Sequence, residues 1–237
     1  MAIAIGIDGC KGGWFYFLFD EGIWKFGVEE TITDILSAVQ GDAQVLVDIP
    51  IGLKERGKTE RECDLAAREM LRPKRHSSVF PAPCRQVLQI DSYERAAEKN
   101  QKVTGRKLSR QTWGLVPKIR EVDELLRRYG QAKDFVREAH PELLFRGLAG
   151  GPMSHNKKTR EGFTERMTIL QLFEPDAKSL IATAFLTHGG FEASRDDVVD
   201  AFALTICAQY PARLKTLPEN PPMDPKGLPM QMVYLTL

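Results

Sequence analysis

The chain has 237 residues, 43% of them hydrophobic, and its 33 basic and 32 acidic side chains leave a formal net charge of +1. This length and apolar content suit either one large domain or one domain with a sizeable insertion, with enough apolar residues for a buried core. No apolar run approaches the roughly 18 residues needed to span a membrane, and a secretory leader pattern is absent. We therefore expect a soluble, cytoplasmic protein without a membrane partner.

The four cysteines are too scattered for a zinc site or a disulfide framework. Cys10, Cys63, Cys84 and Cys207 have no CxxC-type spacing, whereas structural zinc ligands occur in short, regular pairs. They are predicted to be isolated, reduced thiols.

The first 50 residues predict an antiparallel meander followed by a parallel strand. Three short apolar runs, separated by turns that contain glycine, are typical of strands: 3–7, 14–19 and 23–28. A helix predicted at 31–39 then leads to another apolar strand at 44–50. A strand that is reached through a helix usually runs parallel to a central neighbour, so this strand should lie beside the first one.

Each of these two buried strands carries one carboxylate near its end. Asp8 follows the first apolar run and Asp48 interrupts the later one, so parallel pairing would bring both to the same edge of the sheet. An ionised Asp beside a buried strand needs a cation or hydrogen-bond donors. For Asp8 the alternative is that Asp8-Gly9 forms the turn pair of a hairpin.

Residues 52–133 differ from the rest of the chain in pattern and in charge. They predict helices joined by irregular segments: 60–71, 92–101 and 119–129. This segment has 20 Lys and Arg residues against 11 Asp and Glu, whereas the remainder has 13 against 21. A basic helical insert on an acidic body favours a polyanionic partner such as nucleic acid. The alternative is a set of solvated helix faces with ordinary salt bridges.

The C-terminal part returns to a strand and then to helices. A fifth strand is predicted at 135–142, and a flexible loop containing Gly and Pro at 147–158. Apolar spacing predicts three further helices: 165–173, 177–187 and 196–208. We interpret 1–210 as a single domain and 211–237 as a Pro-rich tail, whose apolar end at 230–237 could form an edge strand.

The last predicted helix carries two acids close to its start. Asp197 and Asp200 are three residues apart and therefore share one helical face. Asp197 also fits a capping pattern with Ser194, so a structural role is the alternative for it. Asp200 precedes an apolar run, and a buried Asp there needs a partner, for which a metal ion is one candidate.

Five short segments of the sequence, taken together, resemble those of a known protein family. They are Gly6-Ile7-Asp8-Gly9-Cys10-Lys11-Gly12-Gly13-Trp14, Val47-Asp48-Ile49-Pro50-Ile51-Gly52-Leu53, Ser77-Ser78-Val79-Phe80-Pro81-Ala82-Pro83, His140-Pro141-Glu142 and Asp197-Val198-Val199-Asp200-Ala201. Over nearly the whole range 1–210 the chain is similar to a family described as predicted RNase H-like nucleases, and its acids resemble those of RuvC-type resolvases. The resemblance implies an α/β fold, an RNase H-like mixed five-stranded sheet flanked by helices, with a helical insertion between strands four and five. It also implies hydrolysis of phosphodiesters in nucleic acid.

The chemistry of phosphodiester hydrolysis suits the same acids. The reaction needs neutralisation of the phosphate charge and an activated water, which two divalent cations about 4 Å apart can supply. Mg²⁺ and Mn²⁺ prefer oxygen ligands and keep several waters. We therefore predict that Asp8, Asp48 and Asp200 bind Mg²⁺ or Mn²⁺, with Asp197 as a fourth ligand.

Two residues at the end of the predicted fifth strand are further catalytic candidates. Glu142 could support a metal ligand or join the ligand set, and an ordinary strand end is the alternative. His140 could transfer a proton, since the ordinary pKa of histidine lies near neutrality. A structural hydrogen bond is the alternative for His140.

Three cationic residues are candidates for substrate binding. Arg85 follows the Pro-bounded loop 77–83, and a guanidinium group suits bidentate contact with phosphate. Lys118 lies at a predicted helix start, and Lys11 lies in the Gly-rich turn after Asp8. For Arg85 and Lys118 the alternative is a structural salt bridge.

Two other functions remain open at this stage. The first strand with its Gly-rich turn and Lys also resembles nucleotide-dependent kinases of the actin-like class, although the chain is short for the two domains of that class. The second is a non-catalytic nucleic-acid-binding protein, which leaves four acids unexplained because carboxylates repel phosphate unless a metal intervenes. The sequence specifies neither DNA nor RNA as substrate, nor whether the protein is a monomer or a homodimer.

Overall fold

A computed structural model describes residues 3–37, 39 and 42–236. The strands are β1 (Ile3–Cys10), β2 (Gly13–Asp20), β3 (Ile23–Glu29), β4 (Ala43–Val47), β5 (Val136–Glu138), β6 (Leu214–Leu217) and β7 (Met232–Leu235). The helices are α1 (Ile32–Ser37), α2 (Glu62–Met70), α3 (Tyr93–Thr104), α4 (Arg110–Arg128), α5 (Pro141–Ala149), α6 (Arg160–Phe173), α7 (Ala177–His188) and α8 (Arg195–Ala208). None of the described helices has both the length and the apolar character needed to cross a membrane.

The first five strands form one mixed sheet in the order β3-β2-β1-β4-β5, so the predicted mixed five-stranded sheet flanked by helices is confirmed. β1 pairs antiparallel with β2 and parallel with β4. In the parallel pair Ile7 lies opposite Val47, and the Asp48 amide donates to the Ile7 carbonyl at 3.0 Å. Asp8 and Asp48 are therefore neighbours across two adjacent strands. The helical insertion between β4 and β5 contains α2, α3 and α4.

Alternation along the strands gives the sheet two buried faces. Phe15 and Phe17 of β2 belong to a core formed with α5 to α8. Ile5 and Ile7 of β1 point the other way, into a core formed with α1, α3 and α4. Asp8 has the same parity along β1 as Ala4, which packs in the core with α8. The carboxylate of Asp8 is thus on the face of the sheet that α8 covers.

Helix α8 contacts the backbone of β1 directly at Gly6. A Cβ at Gly6 would lie 2.3 Å from the Ala201 carbonyl oxygen and 2.4 Å from the Thr205 amide nitrogen. Only glycine fits this approach without a shift of the helix. The contact brings the N-terminal half of α8, which contains Asp200, beside the strand that carries Asp8.

Several predicted boundaries are wrong. β1 continues to Cys10 and the turn is Lys11-Gly12, so the alternative in which Asp8-Gly9 forms the hairpin turn is wrong. The strand predicted at 135–142 ends at Glu138, and Pro141 begins α5 instead. Proline suits the first turn of a helix because its fixed φ is helical and its missing N–H would have no helical partner there.

Three helix boundaries also differ from the prediction. α4 begins at Arg110 rather than at 119, because Ser109 caps it and Pro117 is accommodated inside it. α6 begins at Arg160 rather than at 165, capped by Thr159. Of the helix predicted at 31–39, α1 covers Ile32–Ser37, and residue 38 lies outside the described part.

The described part of the Pro-rich segment 211–237 lies against the rest of the chain. The apolar end predicted as an edge strand contains β7, which pairs with β6 and makes one parallel bridge, Val233 to Ala139, directly after the edge strand β5 of the main sheet. Leu237 lies outside the described residues. Between these strands the buried Asp224 accepts hydrogen bonds from the amides of Leu53 and Leu228. Asp224 thereby joins this segment to the start of the insert.

Candidate active site

A cleft of about 540 Å³ opens beyond the carboxyl end of β4, between the main sheet and the insert. Asp8 and Asp48 line it from the sheet side. The insert contributes charged, hydroxyl and aromatic side chains to its wall: Arg61, Lys74, Arg75, Ser77, Ser78 and Phe80. The loop between α5 and α6 contributes Lys157 and Lys158. The cleft therefore has acids at one side and a largely basic rim.

Asp8, Asp48 and Asp200, here called the carboxylate cluster, form the centre of the site. Asp8 is 8% exposed and Asp200 is 1% exposed, while Asp48 is partly accessible from the cleft. Burial and then the charge of Asp48 raise the pKa of Asp8 well above its ordinary value. Burial and then the charge of Asp200 raise the pKa of Asp48 to about 7. The three carboxylates are thus close enough to repel one another.

The ammonium group of Lys157 lies against this cluster. Its Nζ donates to Asp200 Oδ2 at 2.6 Å. Burial alone would lower the pKa of Lys157, but Asp200 and the other two acids of the cluster raise it above its ordinary value. Sequence reasoning assigned no role to Lys157. The sequence feature that could have indicated a role for Lys157 is the pair Lys157-Lys158 at the end of a loop containing Gly and Pro.

Asp197 has the structural role that its capping pattern indicated. Its Oδ2 accepts a hydrogen bond from the Ser194 amide at 2.8 Å, and its own amide donates to the Ser194 hydroxyl. Burial raises the pKa of Asp197, and its charge contributes to the raised pKa values of Asp8 and Asp48. Asp197 therefore adds negative charge to the site while its carboxylate caps α8.

Glu142 is held in a buried ion pair that the sequence did not reveal. Arg166 Nη2 donates to Glu142 Oε1 at 2.5 Å, and the two residues are 1% and 6% exposed. Within the described structure Glu142 Oε2 has no hydrogen-bond partner, and Glu142 lines the cleft. The position of Arg166 between Phe163 and Leu170 on the apolar face of α6 was the available signal, because a charge on such a face needs a buried partner.

His140 caps α5 and has both ring nitrogens engaged. Its Nδ1 accepts a hydrogen bond from the Glu142 amide at 3.2 Å, which assigns the proton to Nε2. Nε2 then donates to the Ser78 carbonyl at 3.3 Å. Burial lowers the pKa of His140, so the ring is neutral near pH 7. His140 therefore makes the structural hydrogen bonds that were the alternative to a catalytic role. Proton transfer by His140 would require one of these two bonds to break.

The structure places Arg85 in the salt-bridge role that was its alternative. Its Nη1 donates to Asp123 Oδ1 at 2.7 Å and its Nη2 pairs with Asp224. Arg85 is buried, and it fastens the insert to the C-terminal segment. The prediction that it contacts phosphate is not supported by this position.

Lys118 and Lys11 are not among the residues that line the cleft, although the Lys118 side chain packs against Gly9, which does line it. Lys118 Nζ donates to the Gly13 carbonyl at 2.5 Å and lies 4.7 Å from the centre of the Trp14 ring. Lys11 is exposed in the turn after β1. The cations that line the cleft are instead Lys74, Arg75, Lys157 and Lys158.

The carboxylate cluster fits a divalent cation in donor type and in charge. Carboxylate oxygens are the ligands that Mg²⁺ and Mn²⁺ prefer, and three carboxyl groups face a single ammonium group. Among the described residues no group of three Asp, Glu, His or Cys side chains is already arranged to hold a metal ion. Asp8, Asp48 and Asp200 are the residues that would hold one after their side chains adjust.

A family model described as "Protein of unknown function (DUF429)" matches residues 6–223. The chain belongs to this family. The DUF429 match includes all three acids of the carboxylate cluster and the lysine that contacts it. No curated protein and no solved structure matches the chain.

We expect this DUF429 protein, free of metal, to lose stability as the pH rises from about 4 to about 7. The pKa of Asp48 is raised from 3.8 to about 7 on folding, so between these values the folded state keeps a proton that the unfolded state has lost. The contribution of Asp48 to the free energy of unfolding is therefore fully present below the pKa that Asp48 has in the unfolded chain. It is lost as the pH rises through the pKa that Asp48 has in the folded state. Asp48→Asn should make the pH-dependent change in the free energy of unfolding smaller by about 1–2 kcal/mol. This value is lower than the full pKa shift would give, because solvent reaches Asp48 and screens its charge.

Urea denaturation in EDTA at pH 5 and pH 8 measures this effect. Asp42→Asn is the matched control, since Asp42 lies just before β4 and is exposed. Equal differences in stability between the two pH values for the wild type and Asp48→Asn would contradict the prediction.

Proposed function

We propose that the protein is a metal-dependent phosphodiesterase, an RNase H-like nuclease that cleaves nucleic acid at the carboxylate cluster. The observation that carries the proposal is that Asp8 and Asp48, on neighbouring strands, line a cleft that also contains Lys157, and that the buried Asp200 of α8 binds this lysine directly behind them. Burying three acids together is costly unless cations receive them. A fold that nevertheless brings them together is suited to binding a cation.

A bound divalent cation would polarise a phosphoryl oxygen and lower the pKa of a bound water. The chain's own residues supply the remaining requirements. The cluster would hold the cation, Arg166 orients Glu142 at the edge of the cleft, and the free Oε2 of Glu142 can accept a hydrogen bond from a ligand. The neutral His140 ring holds the start of α5 against the Ser78 carbonyl of the insert.

The cationic and aromatic lining of the cleft suits a polyanion that carries flat bases. Lys74, Arg75 and Lys158 line the cleft with positive charge, which attracts phosphates. Phe80 lines the same cleft and is 40% exposed. An exposed aromatic ring beside a basic groove is a stacking surface for unpaired bases. These features support nucleic acid as the substrate class.

The resemblance identified from the sequence supports the same function. It implies acids on the first strand, on the fourth strand and at the start of the final helix. The described fold has Asp8 on β1, Asp48 directly after β4, and Asp200 in α8. The strand order β3-β2-β1-β4-β5 agrees with the expectation of an RNase H-like sheet.

Incubation with labelled single-stranded and double-stranded DNA and RNA tests the proposal. We expect cleavage of at least one of these with Mn²⁺ or Mg²⁺, none in EDTA, and a rise in Tm with Mn²⁺ because the metal binds the native state. A mock purification from the same host controls for contaminating nucleases. Absence of cleavage together with an unchanged Tm would contradict the proposal. A rise in Tm with ATP alone would favour the actin-like kinase alternative.

A further inference from the structure

Lys157 lies in a loop, but the fold determines its position. The Asn156 side chain accepts a hydrogen bond from the Lys158 amide at 3.0 Å, and the Asn156 carbonyl accepts from the Thr159 amide at 3.0 Å. A Cβ at Gly162 would lie 1.9 Å from the Asn156 carbonyl oxygen. The first turn of α6 therefore packs backbone to backbone against this turn. Lys157 is held at the cluster by local hydrogen bonds and by a glycine that permits the close approach.

The ammonium group of Lys157 occupies a position where the cluster would receive a cation. In the described part of the chain, the one hydrogen bond to a side-chain oxygen of Asp8, Asp48 or Asp200 comes from Lys157. A second, independent observation is the buried Oε2 of Glu142, which lines the same cleft without a partner. The site thus has more acceptor oxygens than Lys157 can satisfy.

We propose that Lys157 is a built-in counter-cation, which holds the carboxylate cluster together in the metal-free protein and is displaced when a divalent cation binds. The inference rests on the proposed function, because it takes the cluster to be a metal site. Lys157 Nζ lies against an Asp200 oxygen that a metal ion held by the cluster would also approach. An ammonium group and a divalent cation among the same three acids would also repel each other. Lys157 therefore lowers the affinity for metal while it stabilises the empty site.

Substitution of Lys157 tests this competition without an activity assay. Lys157→Gln should bind Mn²⁺ about fivefold or more tightly than the wild type, measured from the free Mn²⁺ signal in electron paramagnetic resonance. It should also have a lower Tm in EDTA at pH 8, because the carboxylate cluster then lacks the cation that pairs with Asp200. Lys158→Gln, at the adjacent exposed position, should match the wild type in both measurements. Lys157→Arg, which keeps the charge, should restore both values toward those of the wild type.

Lysine labelling measures the displacement in the wild-type protein itself. Acetylation by a water-soluble reagent, followed by peptide mass spectrometry, should increase at Lys157 by about threefold or more when Mn²⁺ is added, since the amine leaves its carboxylate partner. Labelling of Lys158 should not change. Equal or weaker Mn²⁺ binding by Lys157→Gln, or Mn²⁺-independent labelling of Lys157, would overturn the inference, as would absence of Mn²⁺ binding in both proteins. Competition without any cleavage of nucleic acid would support it while the proposed nuclease activity fails.

Discussion

Asp8→Asn should reduce metal-dependent cleavage by at least about a thousandfold while the protein stays folded. Asn keeps the shape of the side chain but loses the charge that would bind the cation. A bound metal contributes several kcal/mol to stabilisation of the transition state, and each 1.4 kcal/mol corresponds to a tenfold change in rate. Asp8 suits this test because its carboxylate accepts no hydrogen bond from a described side chain, so the change breaks no ion pair.

The cleavage assay in Mn²⁺ should be read beside chemical denaturation in EDTA. In EDTA Asp8→Asn should be as stable as the wild type or about 1–2 kcal/mol more stable at pH 8, because one member of a repelling group is gone. Asp196→Asn, on the first turn of the same α8 that carries Asp200, is the control and should retain full activity. Retained cleavage by Asp8→Asn would exclude the carboxylate cluster as the catalytic site.

Arg61→Met should destabilise the protein by about 3–5 kcal/mol. The Arg61 guanidinium is buried between two acids, with Nη1 and Nη2 each 2.8 Å from a Glu138 oxygen and Nη2 2.5 Å from Asp64 Oδ1. Arg61 also donates to the carbonyls of Ile51 and Gly52, which follow β4. Removal of Arg61 leaves two buried carboxylates without their cation. It also removes the ion pair that joins the insert to Glu138 of β5.

The loss of stability caused by Arg61→Met should increase as the pH rises. Burial already raises the pKa of Glu138 to about 7 in the presence of Arg61, and without Arg61 this carboxyl group would hold its proton more tightly still. The destabilisation of Arg61→Met should therefore be smaller at pH 5 than at pH 8. Urea denaturation at both values measures it. Arg72→Met, which removes an exposed pair with Glu69, should cost less than about 1 kcal/mol. A similar small loss for Arg61→Met would mean that the buried ion pairs contribute little.

Local patterns were sufficient for most of the sheet and for several helices. The strands predicted at 14–19 and 23–28 correspond to β2 and β3, and the helix predicted at 196–208 corresponds to α8. Periodicity of apolar residues reports which side of an element is buried, and that signal is present in any window of a few residues. The pairing of Asp8 with Asp48 also followed from sequence, because a helix between two strands makes them parallel and brings their ends together.

At some positions the local sequence favoured one structure and tertiary packing favoured another, and the protein adopts the structure favoured by packing. The helix predicted to begin at 119, just after Pro117, begins at Arg110 and contains Pro117. The lost hydrogen bond of a proline costs a few kcal/mol, and the burial of Val116 and Ile119 against the sheet offsets it. Such a balance depends on contacts with distant residues, which no local window contains.

The partners of Arg85 and Lys157 were decided by the tertiary structure alone. Arg85, predicted to bind substrate, pairs with a carboxylate 139 residues away, and Lys157, to which no role was assigned, pairs with Asp200, 43 residues away. From strand pairing the sequence by itself predicted that Asp8 and Asp48 meet, and through the family resemblance it implied that Asp200 joins them. It did not determine which cation meets them. Coulomb energy depends on distance in space and on burial, and neither is related to spacing along the chain.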